Sequence, residues 1–312
     1  MTIWLLTIPF FLVLCYSIFS GFKYTRMISN IFMGLVYRPS DFTSAARGEK
    51  VTILDSSDRE ISALYLPCES STKALVFCHE SGSNENSWEK YAYFFPGMGF
   101  HVLSVDFTDK NEESEKNSLS QWPHEEEVDK LVTVLRWAKR AISPNVRVVL
   151  FGVSKGADLA LAVSFRDESV EAVISDGLFS MKEIFRDYIR KWAPILVRPN
   201  FFGEHYPDWV VNIFTDLGYW HCQKRGKRKF IDTEAMLRKN HAPLCMIHGE
   251  ADDYVPVSHQ KFLETLCRQN LRRDPPLFER LVVPNAKHNE AVLTDPGRYE
   301  SEVRNFIGKI IK

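Results

Sequence analysis

At 312 residues, with 45% hydrophobic and 25% charged residues and a formal net charge of −1, the chain has the balance of one large globular α/β domain. That balance excludes disordered and collagen-like chains, and without a clustered basic surface nucleic acid is not expected as a partner. Six widely spaced cysteines, with no CxxC pair and no zinc-like spacing, give no disulfide framework and no metal centre and fit a reducing compartment.

The first element is apolar. From Thr2 to Phe22 no residue is charged and Ile, Leu, Phe, Val and Trp dominate, a length that crosses a hydrocarbon core as a helix. The expectation is a single-pass transmembrane anchor over residues 1–22, with a cleaved signal peptide and a buried core helix as alternatives. Lys23, Arg26 and Arg38 follow the span, which puts the large domain on the cytoplasmic side. Residues 23–49 read as a juxtamembrane connector, and its Met27 to Asp41 stretch is apolar enough to lie at the interface.

The folded domain is expected over residues 50–312. Val51 to Leu54 and Ile61 to Leu66 read as two strands joined by the polar Ser56-Ser57-Asp58-Arg59. Strand and helix patterns then alternate: Ala74 to Cys78, a helix near Ser87 to Phe95, Val102 to Asp106, and a helix from Glu125 to Ala141 with Val128, Leu131, Val132, Leu135 and Ala138 on one face. A strand from Val146, a helix from Ala157 and a strand over Ala172 to Ile174 complete a βαβαβ series, which implies a parallel sheet covered on both faces. Residues 178–240 interrupt the alternation as an aromatic-rich insertion, expected to form a helical lid. It resumes with Leu244 to Ile247, a helix from Ser258 to Arg268, Leu281 to Val283 and a last helix around Tyr299 to Ile311.

Between the strand at Val146 and the helix after it stands Gly152-Val153-Ser154-Lys155-Gly156, a GxSxG pattern in a strand, turn, helix context. The flanking glycines let the backbone turn sharply and lift the Ser154 hydroxyl above the sheet. A serine hydroxyl needs a neighbouring base, and that base needs a group to hold its tautomer. Downstream, Asp252 and Asp253 follow the strand ending at Ile247, and His288 follows the strand ending at Val283. Asp176 is a third candidate acid, with helix capping as its alternative role. His248, His241 and His259 are rivals to His288, which alone occupies the loop after the last strand.

The order Ser154, Asp252, His288, with the GxSxG elbow and the block His248-Gly249-x-x-Asp252-x-x-Val255-Pro256, resembles the α/β-hydrolase superfamily, and within it the Bem46-like, dienelactone-hydrolase-like and prolyl-oligopeptidase-like branches. The resemblance covers Val51 to the C-terminus and implies an α/β-hydrolase fold: a mostly parallel twisted sheet with helices on both faces. It assigns Asp252 as the acid and the backbone amides of Ser81 and Lys155 as oxyanion donors. Relatives carry HGxxG-like residues where this chain has His79-Glu80-Ser81-Gly82, so Glu80 is expected to narrow the site or repel anionic substrates. The Lys155 side chain is expected in solvent.

The expected activity is that of a membrane-anchored serine hydrolase cleaving carboxylic esters through an acyl-enzyme, with thioesterase, serine peptidase or non-catalytic binding protein as alternatives. The substrate would be a small-molecule or lipid-like acyl compound, held in part by the insertion's aromatics. Such chemistry needs neither cofactor nor metal. The basic run Lys224-Arg225-Gly226-Lys227-Arg228-Lys229 is expected in solvent or against anionic headgroups.

Overall fold

The structure, a computed structural model, describes residues 2–34, 46–107, 121–198, 203–270 and 276–311. Eight strands form one sheet in the order β1-β2-β4-β3-β5-β6-β7-β8: β1 Glu49–Leu54, β2 Glu60–Leu66, β3 Lys73–Cys78, β4 His101–Val105, β5 Arg147–Val153, β6 Val170–Asp176, β7 Leu244–Gly249 and β8 Phe278–Val283. β1, β2 and β4 pair antiparallel, and from β4 across to β8 every pair is parallel. The edge hairpin closes as its polar tetrapeptide suggests: one Asp55 carboxylate oxygen accepts from the backbone amides of Ser57 and Arg59 at 2.7 and 3.0 Å.

Alternation along each strand sorts its side chains into two cores. Val76, Val148 and Leu150 join one face with α3 Glu125–Ala141, α4 Lys155–Arg166 and α8 Val257–Arg268. Phe77, Phe151 and Val153 join the other with the short α2 Trp88–Tyr91, with α9 Ala291–Thr294 and with α10 Pro296–Ile310. The helix expected over Ser87 to Phe95 is reduced to a 3₁₀ turn at Glu85–Ser87 and the single turn of α2. Its Trp88, Tyr91, Phe94 and Phe95 are nonetheless buried, so packing rather than helical hydrogen bonding fixes this stretch.

The chain divides into two compact units. One joins the N-terminal region to Lys182–Arg228, and the sheet with its helices is the other. In the first, α1 Thr2–Gly34 packs on α5 Met181–Leu196 and α6 Asp208–Gly226. Phe32 meets the rings of Phe185 and Tyr188 at 4.9 and 5.8 Å, and the Ser29 hydroxyl reaches the Gly218 carbonyl at 3.5 Å. Part of the insertion's aromatic content is therefore its own core, while Trp209 and Trp220 face outward. Phe201 and Phe202 lie outside the described residues.

The expected membrane span is not supported. Among the described residues no helix is long and apolar enough to cross a membrane. α1 does not stop at Phe22 but runs on through Lys23 and Arg26 to Gly34, so residues 23–34 continue the helix instead of forming a connector. Its later turns bury Thr25, Ile28, Ser29 and Phe32 within the first unit. The rest of the expected connector, through residue 45, lies outside the described residues.

A Cβ at Gly218 would stand 2.3 Å from the Phe185 ring. Gly218→Ala is therefore expected to destabilise the first unit by about 1–3 kcal/mol through overpacking, although alanine is the better helix former by about 1 kcal/mol. A calorimetric scan showing an unchanged or raised Tm would refute that packing.

Candidate active site

The turn after β5 is built on backbone crossing backbone. A Cβ at Gly152 would lie 2.0 Å from the Gly156 carbonyl oxygen, and one at Gly156 would lie 2.0 Å from the Cys78 carbonyl oxygen. Neither position admits another residue without moving the main chain. Between them Ser154 takes φ 50°, ψ −117°, a conformation that costs on the order of 1–3 kcal/mol for a residue with a Cβ. The Ser154 amide donates to the Asp176 carbonyl at 2.7 Å, tying the turn to the end of β6.

The parallel register brings three loops to this edge. Val153 pairs with Asp176, Asp176 with Ile247, and Gly249 with Val283, so the loops after these strands leave the sheet side by side. The Ser154 Oγ lies 3.0 Å from His288 Nε2, and His288 Nδ1 lies 2.6 Å from Asp252 Oδ2. An ionised carboxylate only accepts, so Nδ1 carries the proton and Nε2 is left to accept from the serine hydroxyl. All three side chains are buried. Asp252 Oδ1 accepts from the amides of Tyr254 and Val255 at 2.9 and 2.8 Å, which fixes the carboxylate with both oxygens engaged. Gly177, which follows β6 beside the site, takes φ 75°, a left-handed conformation that favours glycine. Such a chain can draw a proton from a hydroxyl and hold the resulting imidazolium.

Of the rivals, Asp253 is exposed. His248 is buried, its Nε2 bonded to the Val255 carbonyl at 2.7 Å and 3.5 Å from Asp252 Oδ2. Burial pushes its pKa down, so a neutral imidazole braces the acid loop. His241 lies against the Phe165 ring, tilted by 46°, and His259 sits buried in α8.

The loop after β3 corrects an expectation. Glu80 does not face the serine: it is buried, accepting from the Ser87 hydroxyl at 2.9 Å and the Tyr91 hydroxyl at 3.2 Å. Tyr91 also reaches the Asn289 carbonyl at 3.3 Å, so Glu80 connects the Ser81 loop with the loop that carries His288. His79 takes the Phe107 amide on Nε2 at 3.0 Å, which leaves Nδ1 to donate to the Glu80 carbonyl at 2.7 Å. Burial lowers its pKa, so this brace is neutral too. Lys155 is the second correction. Its side chain is not in solvent but buried, ion-paired with Glu127 of α3.

Asp176 accepts from the Tyr299 hydroxyl at 2.9 Å instead of capping a helix. Full burial pushes its pKa up to about 7 against the lowering effect of that hydrogen bond. Sequence reasoning placed Asp176 at the edge but missed its partner, which lies 123 residues away.

No protein-family model matches the chain. The YfhR protein of Escherichia coli O157:H7, itself uncharacterized, is 22% identical over 244 residues, covering 77% of this chain and 72% of its own length. Among solved structures, the Pyrococcus furiosus esterase Pf2001 superposes with a TM-score of 0.62 at 18% identity, over 89% of this chain and 98% of its own. A membrane phospholipase A described as a bacterial virulence factor superposes with a TM-score of 0.55 at 17% identity, over 99% of both chains. With the sheet order above, these likenesses define the α/β-hydrolase fold.

A carboxyl whose folded pKa exceeds its unfolded value stabilises fully below the unfolded pKa, and that stabilisation is lost as pH rises through the folded one. For Asp176 the window runs from about 4 to about 7. Asp176→Asn, which can still accept from Tyr299, is expected to gain about 4 kcal/mol relative to wild type across it, at 1.36 kcal/mol per pKa unit. Urea melts at several pH values read this difference, and a pH-independent one would place the carboxyl's titration elsewhere.

Proposed function

We propose that the protein is a serine hydrolase of carboxylic esters. Ser154 attacks the carbonyl while His288 takes its proton, Asp252 orients the imidazole and stabilises its charge, and the Ser81 and Lys155 amides hold the oxyanion. His288 then gives the proton to the leaving alcohol, and water releases the acyl-enzyme. The observation that carries this reading is the continuous chain from the Ser154 hydroxyl through His288 to Asp252, headed by a serine at positive φ. The Pf2001 esterase and the phospholipase A among the similar folds agree with ester bonds as substrate.

A fluorophosphonate probe is expected to label wild type and not Ser154→Ala. Asp252→Asn should lower kcat on p-nitrophenyl esters by about 10⁴-fold. A folded wild type that neither takes the label nor turns over esters would sink the proposal.

The same proposal includes work at a membrane surface on the cytoplasmic side. Its support is the exposed Phe11, Leu12, Tyr16, Ile18, Phe19 and Phe22 of α1, followed by Lys23 and Arg26. Burying apolar side chains in the interface and placing cations among headgroups favour one another. The full chain is expected to float with anionic phosphatidylserine vesicles, and Phe19→Ser with Phe22→Ser to weaken that binding at least about tenfold. Absence of flotation by wild type would end this part of the reading.

A further inference from the structure

Lys155 stands in an unfavourable place. As the first residue of α4 it puts a positive charge at the positive end of a helix dipole, and its side chain is only 7% exposed. Its partner Glu127, at 4%, is the third residue of α3, where the dipole favours a carboxylate. Burial alone would raise the Glu127 pKa, but the charges and hydrogen bonds of Lys155 and His124 outweigh burial and hold it at about 2. The second oxygen of Glu127 lies 2.8 Å from Nδ1 of the buried His124.

That network is itself tied down. The Glu125 amide donates to the Lys229 carbonyl at 3.0 Å, and the Ile231 amide to the Pro123 carbonyl at 3.3 Å. The residue at the other end of the ion pair directly follows Ser154, and Gly156 beyond it is pressed against the Cys78 carbonyl, where the Ser81 loop begins. A buried ion pair adds little net stability compared with a well-packed apolar pair. Stability therefore does not explain a lysine here, whereas geometry does: the pair holds the first residue of α4 from its side-chain end while Ser154 holds it from the chain.

We propose that Lys155 and Glu127, with His124 as the third member, form a buried ionic clamp that positions the Lys155 backbone amide as an oxyanion donor. They are positioning residues and touch no substrate. The proposal rests on the reading of Ser154 as a nucleophile.

The test compares wild type with Lys155→Met/Glu127→Met, which removes both charges together and so leaves no unpaired ion in the core. Fluorophosphonate labelling of wild type comes first. In the folded double variant kcat on p-nitrophenyl esters is expected to fall about 10- to 100-fold, less than the loss from deleting an oxyanion donor outright, with KM within about twofold. The inhibition constant of a trifluoromethyl ketone, whose adduct places an oxyanion in the same hole, should rise by the same factor. Lys155→Arg, which keeps the charge, should recover most of the activity. A folded double variant with kcat within about twofold of wild type, or with only KM changed, overturns the clamp while labelled wild type leaves the nucleophile standing; unlabelled wild type removes both. If the double variant does not fold, Glu127→Asp keeps the charge on a shorter arm. A matched loss of kcat and ketone affinity there supports the clamp, and an unchanged ketone affinity overturns it.

Discussion

The site depends on one steric constraint: the chain leaving β5 must pass between its own helix and the end of β3 with no side chain in the way. Gly152 faces the Gly156 carbonyl and Gly156 faces the Cys78 carbonyl, each at a distance that only hydrogen can occupy. Because the crossing is that close, the turn has no room to relax, and Ser154 is held at positive φ with its amide on Asp176. Strain of this kind persists only where surrounding structure over-determines it. Here the flanking parallel strands and the fully buried α4 residues supply that determination.

Most of the fold was legible because its signals are periodic and local. Alternating and continuous apolar runs marked the strands to within a few residues, and the face of Val128, Leu131, Leu135 and Ala138 marked α3 with both ends. The order of Ser154, Asp252 and His288 was legible for a related reason: each stands in the loop after a strand, and parallel strands deliver those loops to one edge. A sequence read for periodicity therefore gives the neighbourhood of the site.

Directions of side chains were not legible in the same way. Glu80 looked like an obstacle because its position in the loop is known from the letters, while its donors Ser87 and Tyr91 come from a stretch whose helical pattern dissolved into turns. Lys155 looked solvated because lysine usually is, and only the approach of α3 beside α4 supplies a carboxylate to bury it against. α1 misled through its first part: twenty-one uncharged residues read as a complete element, yet the helix continues into a polar stretch whose other face meets α5 and α6.

Buried acids around the elbow are held by different kinds of donor. Asp252 is tied by two amides and an imidazole, and Glu127 by a lysine and a histidine. Asp158 and Asp176 have only hydroxyl side-chain donors, Thr233 and Tyr299, and burial drives both upward. A hydroxyl offers one neutral hydrogen bond, which cannot replace the hydration a carboxylate loses on burial, whereas a cation can. At neutral pH Asp158 is therefore a polar peg between α4 and α7 Thr233–Leu237. Asp176, balanced near neutrality, is the acid at this edge whose charge follows the medium. The turn that carries Ser154 hangs from the backbone of Asp176, whose side chain is held by Tyr299 of α10, so the residue that ties Ser154 to β6 also carries a carboxyl that changes charge near neutral pH.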